Sequence, residues 1–222
     1  ICMGATIACA MELVQRKKIK QEQLQGLKLE FGNAAAMVEA VWRTAYKVGI
    51  GADLAMGSRK LAEKYGMPDL SMSVKGLELP AYDPRGAQGI GLNYATANRG
   101  GCHVTGYTIA SEILAPEPVD RFATEGKAQL VKTFQDFTSV VNSATVCLFV
   151  TFALGPADFA VLLSAITGWD MTEEDILKIG ERIYNLERQV MNMIGVRGQD
   201  TLPKRLLKEK MPDGPSKGKV NK

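Results

Sequence analysis

Leu79–Tyr107, LPAYDPRGAQGIGLNYATANRGGCHVTGY, holds the only histidine of the chain and shows none of the amphipathic periodicity of ordinary packing. Its meaning has to come from chemistry. Six of its residues are glycine (Gly86, Gly89, Gly91, Gly100, Gly101 and Gly106). Glycine is required where a backbone takes positive φ or comes close to a ligand. Asp83, Arg85, Arg99 and His103 are spaced among them. The stretch therefore offers charged and titratable groups on a chain whose amides can reach inward, which suits an anionic, hydrogen-bonding ligand. The plainer reading of the same composition is a Gly-rich connection carrying a solvated ion pair.

Upstream of it, Gly4–Arg16 is small and apolar on nearly every side, the pattern of a buried helix in which Cys9 fills core. Lys17–Phe31 is polar and loop-like. Asn33 is an N-cap for a helix with Met37, Val38, Val41, Trp42 and Ala45 on one face, stopped at Gly49. A second helix is expected over about 52–65, ending at Gly66, with Trp42 and Tyr65 in the core. Met72, Val74, Leu77 and Leu79 nearly alternate with polar residues and predict a short extended segment leading into the loop. That change of pattern places a domain boundary near residue 72.

Downstream, Pro116 and Pro118 break a linker, and a helix from Glu125 carries Leu130, Val131, Phe134, Phe137 and Val141. It runs into Asn142–Cys147. Gly155-Pro156 starts another helix that lasts to Gly168, and Thr172 with Asp175 forms a capping-box pair for the next. Ile176, Ile179, Ile183, Leu186, Val190 and Met193 then recur at steps of three and four, a stripe read as helix packing. The last twenty residues, rich in Pro, Gly and Lys, read as an extended tail. The fold class is mainly α, with two packed helical domains, residues 1–72 and 73–222.

Of the chain's net charge of +3, Pro203–Lys222 contributes seven Lys/Arg against two Asp/Glu, which leaves a slightly acidic body. A basic tail on such a body argues against a nucleic-acid surface. Polar residues at Asn142, Ser143, Thr145 and Thr151 interrupt Ser139–Leu154, the most apolar run, which reads as a buried segment and not a membrane span. The N-terminal ICMGATIACAMELVQ has no basic leader and opens in a helical pattern, as expected of a chain cut from a longer one. Cys2, Cys9, Cys102 and Cys147 include no CxxC pair, which excludes a self-contained zinc or four-cysteine site of usual spacing and gives no disulfide framework. A reducing cytoplasm follows as the expected location.

NRGGCHVTGYTIASEIL, preceded by LPAYDPRGAQGIGLNYAT and followed by FQDFTSVVNSATVCLF and QDTLPKRLL, resembles the C-terminal part of the tungsten-containing aldehyde:ferredoxin oxidoreductases, domains 2 and 3. The resemblance runs from Ile1 to Val220. It implies a tungstopterin, in which two dithiolene-bearing pterins hold one tungsten or molybdenum, and a nearby [4Fe-4S] cluster. An aldehyde is oxidised to a carboxylic acid, with electrons passed to ferredoxin. The partners it implies are ferredoxin, a small aldehyde, the missing N-terminal part of the same enzyme and a second copy in a homodimer. That N-terminal part would carry the first pterin motif, DxxGLD, and the remaining cluster cysteines.

The resemblance also assigns residues. His103 matches the histidine beside the metal, where an imidazole can hydrogen-bond or move a proton at the reacting carbonyl. Arg99 and Gly100 match positions that approach the pterin, and Thr105 stands where some relatives have Lys. Asp83 and Arg85 orient the loop. The second pterin motif, DxxGLC, corresponds to Asn142-Ser143-Ala144-Thr145-Val146-Cys147, with Cys147 the fourth cluster ligand. Asn142 still accepts hydrogen bonds, without charge. Val146 replaces Leu, and Thr145 replaces a glycine, a serious change if that position needs positive φ. Without the resemblance, Cys147 reads as core in an apolar helix. Two other readings remain open. One is a related subunit that reduces aromatic acyl-CoA rings; the other is a truncated, metal-free helical paralogue acting as an interaction module. Either way, the 222 residues alone are expected to be inactive and poorly soluble.

Overall fold

The computed structural model describes all 222 residues, Ile1–Lys222. It is mainly α, as the periodicity predicts, with one two-stranded sheet. Helix α1 (Cys2–Gln15) buries Ile7, Cys9, Ala10, Met11 and Leu13 at the centre of a 16-residue core cluster that extends to Leu70. A short α2 (Gln21–Leu24) lies in the segment whose polarity suggests loop, because Leu24 is buried there. Helix α3 (Ala34–Tyr46) is capped by Asn33, whose Oδ1 accepts from Ala36 N at 3.1 Å. The helix expected over 52–65 is two, α4 (Gly51–Leu54) and α5 (Ser58–Lys64). Gly57 at φ +82° breaks it, and the buried Glu78 carboxylate accepts from Ser58 N at 2.8 Å.

The apolar face of α3 is not in the core. Met37, Val38, Val41 and Trp42 are exposed, Trp42 to 51%, while Ala36 and Ala40 face inward. The cause is a close approach: a Cβ on Gly51 would sit 2.0 Å from Arg43 O, so α4 leaves room only for small side chains beneath α3. Tyr65 is half-buried and donates to Asp53 at 2.7 Å.

Strands β1 (Ser73–Val74) and β2 (Leu77–Glu78) pair antiparallel, Val74 opposite Leu77, through a turn with Lys75 and Gly76 both at positive φ, the geometry of a tight hairpin. The glycine-rich stretch is then not a loop throughout. It contains helix α6 (Gln88–Thr96), fully packed, with Ile90, Asn93 and Tyr94 buried. Its glycines are packing devices: a Cβ on Gly89 would meet the Glu112 carboxylate, and one on Gly91 the Asn221 amide at 2.1 Å.

Helices α7 (Lys127–Ser143), α8 (Pro156–Thr167) and α9 (Glu173–Met193) build a third core around Phe137, Val141, Phe159 and Ile176. The Thr172–Asp175 cap forms as expected, with Asp175 Oδ2 accepting from Thr172 N at 2.9 Å. The stripe of α9 does not pack along its whole length. Ile176 is buried, but Leu186, Val190 and Met193 are exposed, Met193 to 82%. The α7–α9 crossing is fixed by Gly180, where an added Cβ would lie 1.9 Å from Asp136 O, so the two helices touch near the N-terminal half of α9.

The C-terminal segment is also not an extended tail. Helix α10 (Lys204–Lys208) buries Leu206, Arg205 forks onto Glu12 at 2.8 and 3.0 Å, and the nearly buried Asn221 donates to Pro84 O at 2.8 Å. Its lysines point outward while a few apolar and amide groups dock. No helix is long and apolar enough to cross a membrane.

Helix α7 ends in a Schellman motif, Val146 N to Val141 O at 3.2 Å and Thr145 N to Asn142 O at 3.0 Å, with Thr145 at φ +57°. A β-branched residue is strained there. Thr145→Gly is therefore expected to raise stability by about 1 kcal/mol, read as a higher urea midpoint. Gly180→Ala forces the α7–α9 crossing apart and is expected to lose about 1–3 kcal/mol by the same measurement.

Candidate functional site

The segment after α6 is shaped by its glycines. At Gly100, φ is +106°, and a Cβ there would lie 2.4 Å from Val74 O; one on Gly101 would lie 2.8 Å from Leu77 O. The hairpin alone thus accounts for both glycines. Asn93 Nδ2 and Thr105 Oγ1 both donate to Cys102 O at 3.0 Å, and Gln135 Nε2 donates to Asn93 Oδ1 at 3.1 Å. These bonds hold the single 3-10 turn His103–Thr105 against α7.

His103 forms a triangle of rings with two tyrosines that also touch each other, at 5.8 Å between centroids. Its ring centroid lies 5.6 Å from that of Tyr82 and 6.0 Å from that of Tyr107. Tyr107 donates to the Tyr82 hydroxyl at 3.1 Å, and Tyr94 donates to Tyr82 O at 3.2 Å, while the His103 ring meets Tyr82 tilted and Tyr107 edge-on. Burial, with a smaller push from the Arg99 guanidinium, holds the imidazole below its ordinary value of 6.5. The ring is neutral at pH 7 and can accept a proton. Burial and the bond to Tyr82 push the Tyr107 hydroxyl up to about 12. Sequence reasoning missed both tyrosines, although they stand near the two ends of the glycine-rich stretch.

Tyr107 also meets Phe152 edge-on, centroids 6.0 Å apart, which brings the turn after Cys147 to the His103 cluster. Cys147 does not lie in a buried helix: it is an exposed thiol preceding the 3-10 turn Leu148–Phe152, and Val146 beside it is 39% exposed. The polar residues of NSATVC let the chain leave the core where an apolar helix would have stayed. No group of three or more His, Cys, Asp or Glu side chains comes together to hold a metal ion. Cys147 accordingly belongs to no such group.

Three of the residues singled out in the sequence, Arg99, Thr105 and Asn142, line one cavity of about 580 Å³ between the His103 turn, α7 and α9. His103, Gly100, Val146 and Cys147 are outside it. Ile183, Leu186 and Val190 of α9 form its apolar wall. Asn98 also lines it, only 4% exposed; its Nδ2 donates to Tyr184 O at 2.9 Å and to Glu187 Oε2 at 3.3 Å, while its Oδ1 has no partner. Both neighbours of Nδ2 are acceptors, which fixes the amide orientation. A slot with an apolar wall, a guanidinium and two amides, one of them with an orphaned carbonyl oxygen, fits a flat heterocycle bearing N–H groups and an anionic tail. A larger hollow of about 720 Å³ on the outer side of α9, around Trp169 and Ile179, contains none of the motif residues.

The family model described as aldehyde ferredoxin oxidoreductase, domains 2 & 3, matches residues 1–222. The chain is 50% identical to a tungsten-containing aldehyde ferredoxin oxidoreductase of Pyrococcus furiosus, over 98% of this chain and 37% of that protein. It is 46% identical to one from Thermococcus kodakarensis, over 99% of this chain and 37% of that protein. The chain thus spans a little over a third of the length of the curated relatives it matches. Among solved structures, the active-site complex BamBC of benzoyl coenzyme A reductase shares the fold, with a TM-score of 0.67 at 18% identity, over 89% of this chain and 36% of that one. With the family model covering every residue and half of all positions identical to a relative, the chain belongs to the aldehyde ferredoxin oxidoreductase family, as its domains 2 and 3.

Proposed function

We propose that this chain is the C-terminal part of a tungstopterin and [4Fe-4S] oxidoreductase that oxidises aldehydes to carboxylic acids and passes the electrons to ferredoxin. The observation that carries the reading is the convergence of Arg99, Thr105 and Asn142 on one cavity, next to a neutral His103 packed beside two tyrosines. When bound, the cofactors supply two-electron chemistry at the metal and single-electron transfer through the cluster. Asn142 and the orphaned Oδ1 of Asn98 would accept pterin N–H groups, Arg99 would meet negative charge, and Cys147 Sγ would give one cluster ligand. A neutral His103 nitrogen takes up one proton as the aldehyde and water lose two electrons and two protons. Tyr82 and Tyr107 keep its ring in place.

The rest of a longer chain supplies the first pterin motif and three further cysteines, and residues 1–72 complete a middle helical domain begun there. A homodimer in the cytoplasm is the working state. The backbone at Thr145 supports a functional second motif over a decayed one: it keeps the positive φ that a glycine in that place would take.

The test is the protein from the complete reading frame, purified without oxygen. Tungsten with about four iron per chain is expected, and a protein carrying neither overturns the reading in favour of the metal-free module. His103→Ala is expected to lower kcat by about 10²–10⁴-fold with tungsten and iron content unchanged. Because the folded-state value of His103 lies below 6.5, its neutral form persists through neutrality. Activity should therefore fall only on acidification below about pH 6.5, and the His103→Ala variant should lose that limb. The same protonation is resisted by the folded state and not by the unfolded one, so stability owed to neutral His103 is full above pH 6.5 and declines as pH falls through the lower, folded-state value.

A further inference from the structure

Asn93 is fully buried on α6, a helix that otherwise buries Ile90 and Tyr94. Both ends of its amide are aimed at the turn that presents His103. Nδ2 donates to Cys102 O at 3.0 Å, the carbonyl of the peptide bond whose nitrogen belongs to His103. Thr105 reaches the same oxygen from within the turn, so Asn93 is the side chain that ties it to another element. Oδ1 lies against the far end of the turn, where a Cβ on Gly106 would come to 2.5 Å from it and to 3.0 Å from Gln135 Cγ. The Gly106 φ of −178° does not by itself call for glycine; the amide pair does. Gln135, buried on α7, closes the arrangement, its Nε2 donating to Asn93 Oδ1 at 3.1 Å and to Thr96 Oγ1 at 3.0 Å. Because Thr96 Oγ1 gives its own proton to Leu92 O at 2.8 Å, it meets Gln135 as an acceptor, which fixes the orientation of both amides. Donation thus runs one way, from Gln135 through Asn93 to Cys102 O, and bonds aligned in series polarise one another.

We propose that Asn93 and Gln135 are positioning residues for His103, a buried amide pair that fixes where the imidazole stands relative to the reacting carbonyl. The proposal rests on the reading of His103 as the residue that takes up a proton there. A satisfied buried hydrogen bond is worth only about 1 kcal/mol net, so the pair adds little to the stability of the fold. Its contribution is direction. Apolar packing is non-directional and would let the turn slide along α6 and α7, whereas two amide bonds in series hold Cys102 O, and with it the backbone nitrogen of His103, to the narrow range of a hydrogen bond. Proton transfer is sensitive to such placement, since a shift of about 1 Å in a reacting group costs on the order of 10²-fold in rate. The tyrosines pack against the ring, and the amide pair sets the backbone that carries it.

The experiment is a mutant cycle in the full-length, metal-loaded enzyme, with acetaldehyde and benzaldehyde as substrates and amide hydrogen exchange as a second readout. Asn93→Ala is expected to lower kcat by about 10–100-fold while KM moves by less than about twofold, with tungsten and iron content as in the wild type. In the His103→Ala background the same substitution is expected to change kcat by less than about twofold, because residues that act as a unit are not additive. Exchange should rise in the peptide covering residues 99–107 and stay as in the wild type over α8. Gln135→Met keeps the contact of its stem and loses the donor; it is expected to act in the same way and more weakly, and it keeps the test open if Asn93→Ala does not fold. A fall in kcat by the same factor in both backgrounds marks the pair as general packing and overturns the proposal. So does an unchanged kcat with metals intact, and either result leaves the oxidoreductase reading in place. If His103→Ala turns over as fast as the wild type, or the tungsten-loaded wild type oxidises neither aldehyde, the parent reading falls and the proposal falls with it.

Discussion

Helix α6 is held at both ends by charge of the sign its dipole demands, and the positions of Arg99, Gly100 and His103 follow from that. At its N-terminus the fully buried Glu112 carboxylate accepts from Gly89 N at 2.8 Å, from Ile90 N at 3.1 Å and from Thr108 Oγ1 at 2.9 Å, with the buried Lys127 ammonium 2.8 Å away. At its C-terminus Lys75 donates to Ala95 O and Ala97 O, and Arg188 donates to Thr96 O. Asp200 pairs with both cations. A carboxylate at the first turn and cations at the last each satisfy orphan backbone groups and oppose the end charges of the helix. Buried ions repay their desolvation only when fully bonded, and Glu112 has three donors besides its ion pair.

The site inherits this anchoring. The chain leaves α6 at Asn98, four residues after the buried Tyr94 and one after the carbonyl that Lys75 holds, so the turn carrying Arg99–His103 starts from a fixed point. Lys75 comes from the hairpin turn, Arg188 from α9 and Lys127 from the first residue of α7. The helix that presents the site is therefore clamped by the same elements that wall the cavity. Helix α9 is bonded directly to Asn98 through Tyr184 O and Glu187 and to Thr96 through Arg188.

Most of the helical frame was legible because its signals are local. Asn33, Gly155-Pro156, Gly168 and the Thr172–Asp175 pair each mark a helix end through a hydrogen bond or a φ requirement made within a few residues. Helix α6 was not legible: QGIGLNYAT has two glycines and no apolar stripe, since it is buried all round and its glycines answer to Glu112 and Asn221, 23 and 130 residues away in sequence. The docked C-terminal segment was hidden in the same way, its lysines setting the composition while Leu206 and Asn221 set the contacts. The stripes of α3 and α9 show the converse limit. Periodicity states which side of a helix is apolar, not whether this chain covers it, and here Trp42, Leu186 and Met193 stay open. For the candidate site, the RGGCH context pointed to His103, but the tyrosines packed beside its ring could be named only once tertiary contacts were known.

The second motif shows how sequence change and structural change can separate. Read as letters, Asn142 and Thr145 are losses, one of charge and one of backbone freedom. In the structure the loss at 145 is absorbed: the Schellman bonds at the end of α7 hold Thr145 in the left-handed region at a cost of about 1–2 kcal/mol, and the backbone path from Asn142 to Cys147 is that of a glycine-containing turn. The loss at 142 is not absorbed, because no neighbouring carboxylate of the chain lines that end of the cavity; the only acid on its lining is Glu187, already taken up by Asn98. A heterocycle bound there would meet neutral acceptors at Asn142 and Asn98 in place of an anion. Asn142→Asp is therefore expected to alter the strength and pH dependence of that contact, while the position of Cys147 is set by the backbone turn at Thr145.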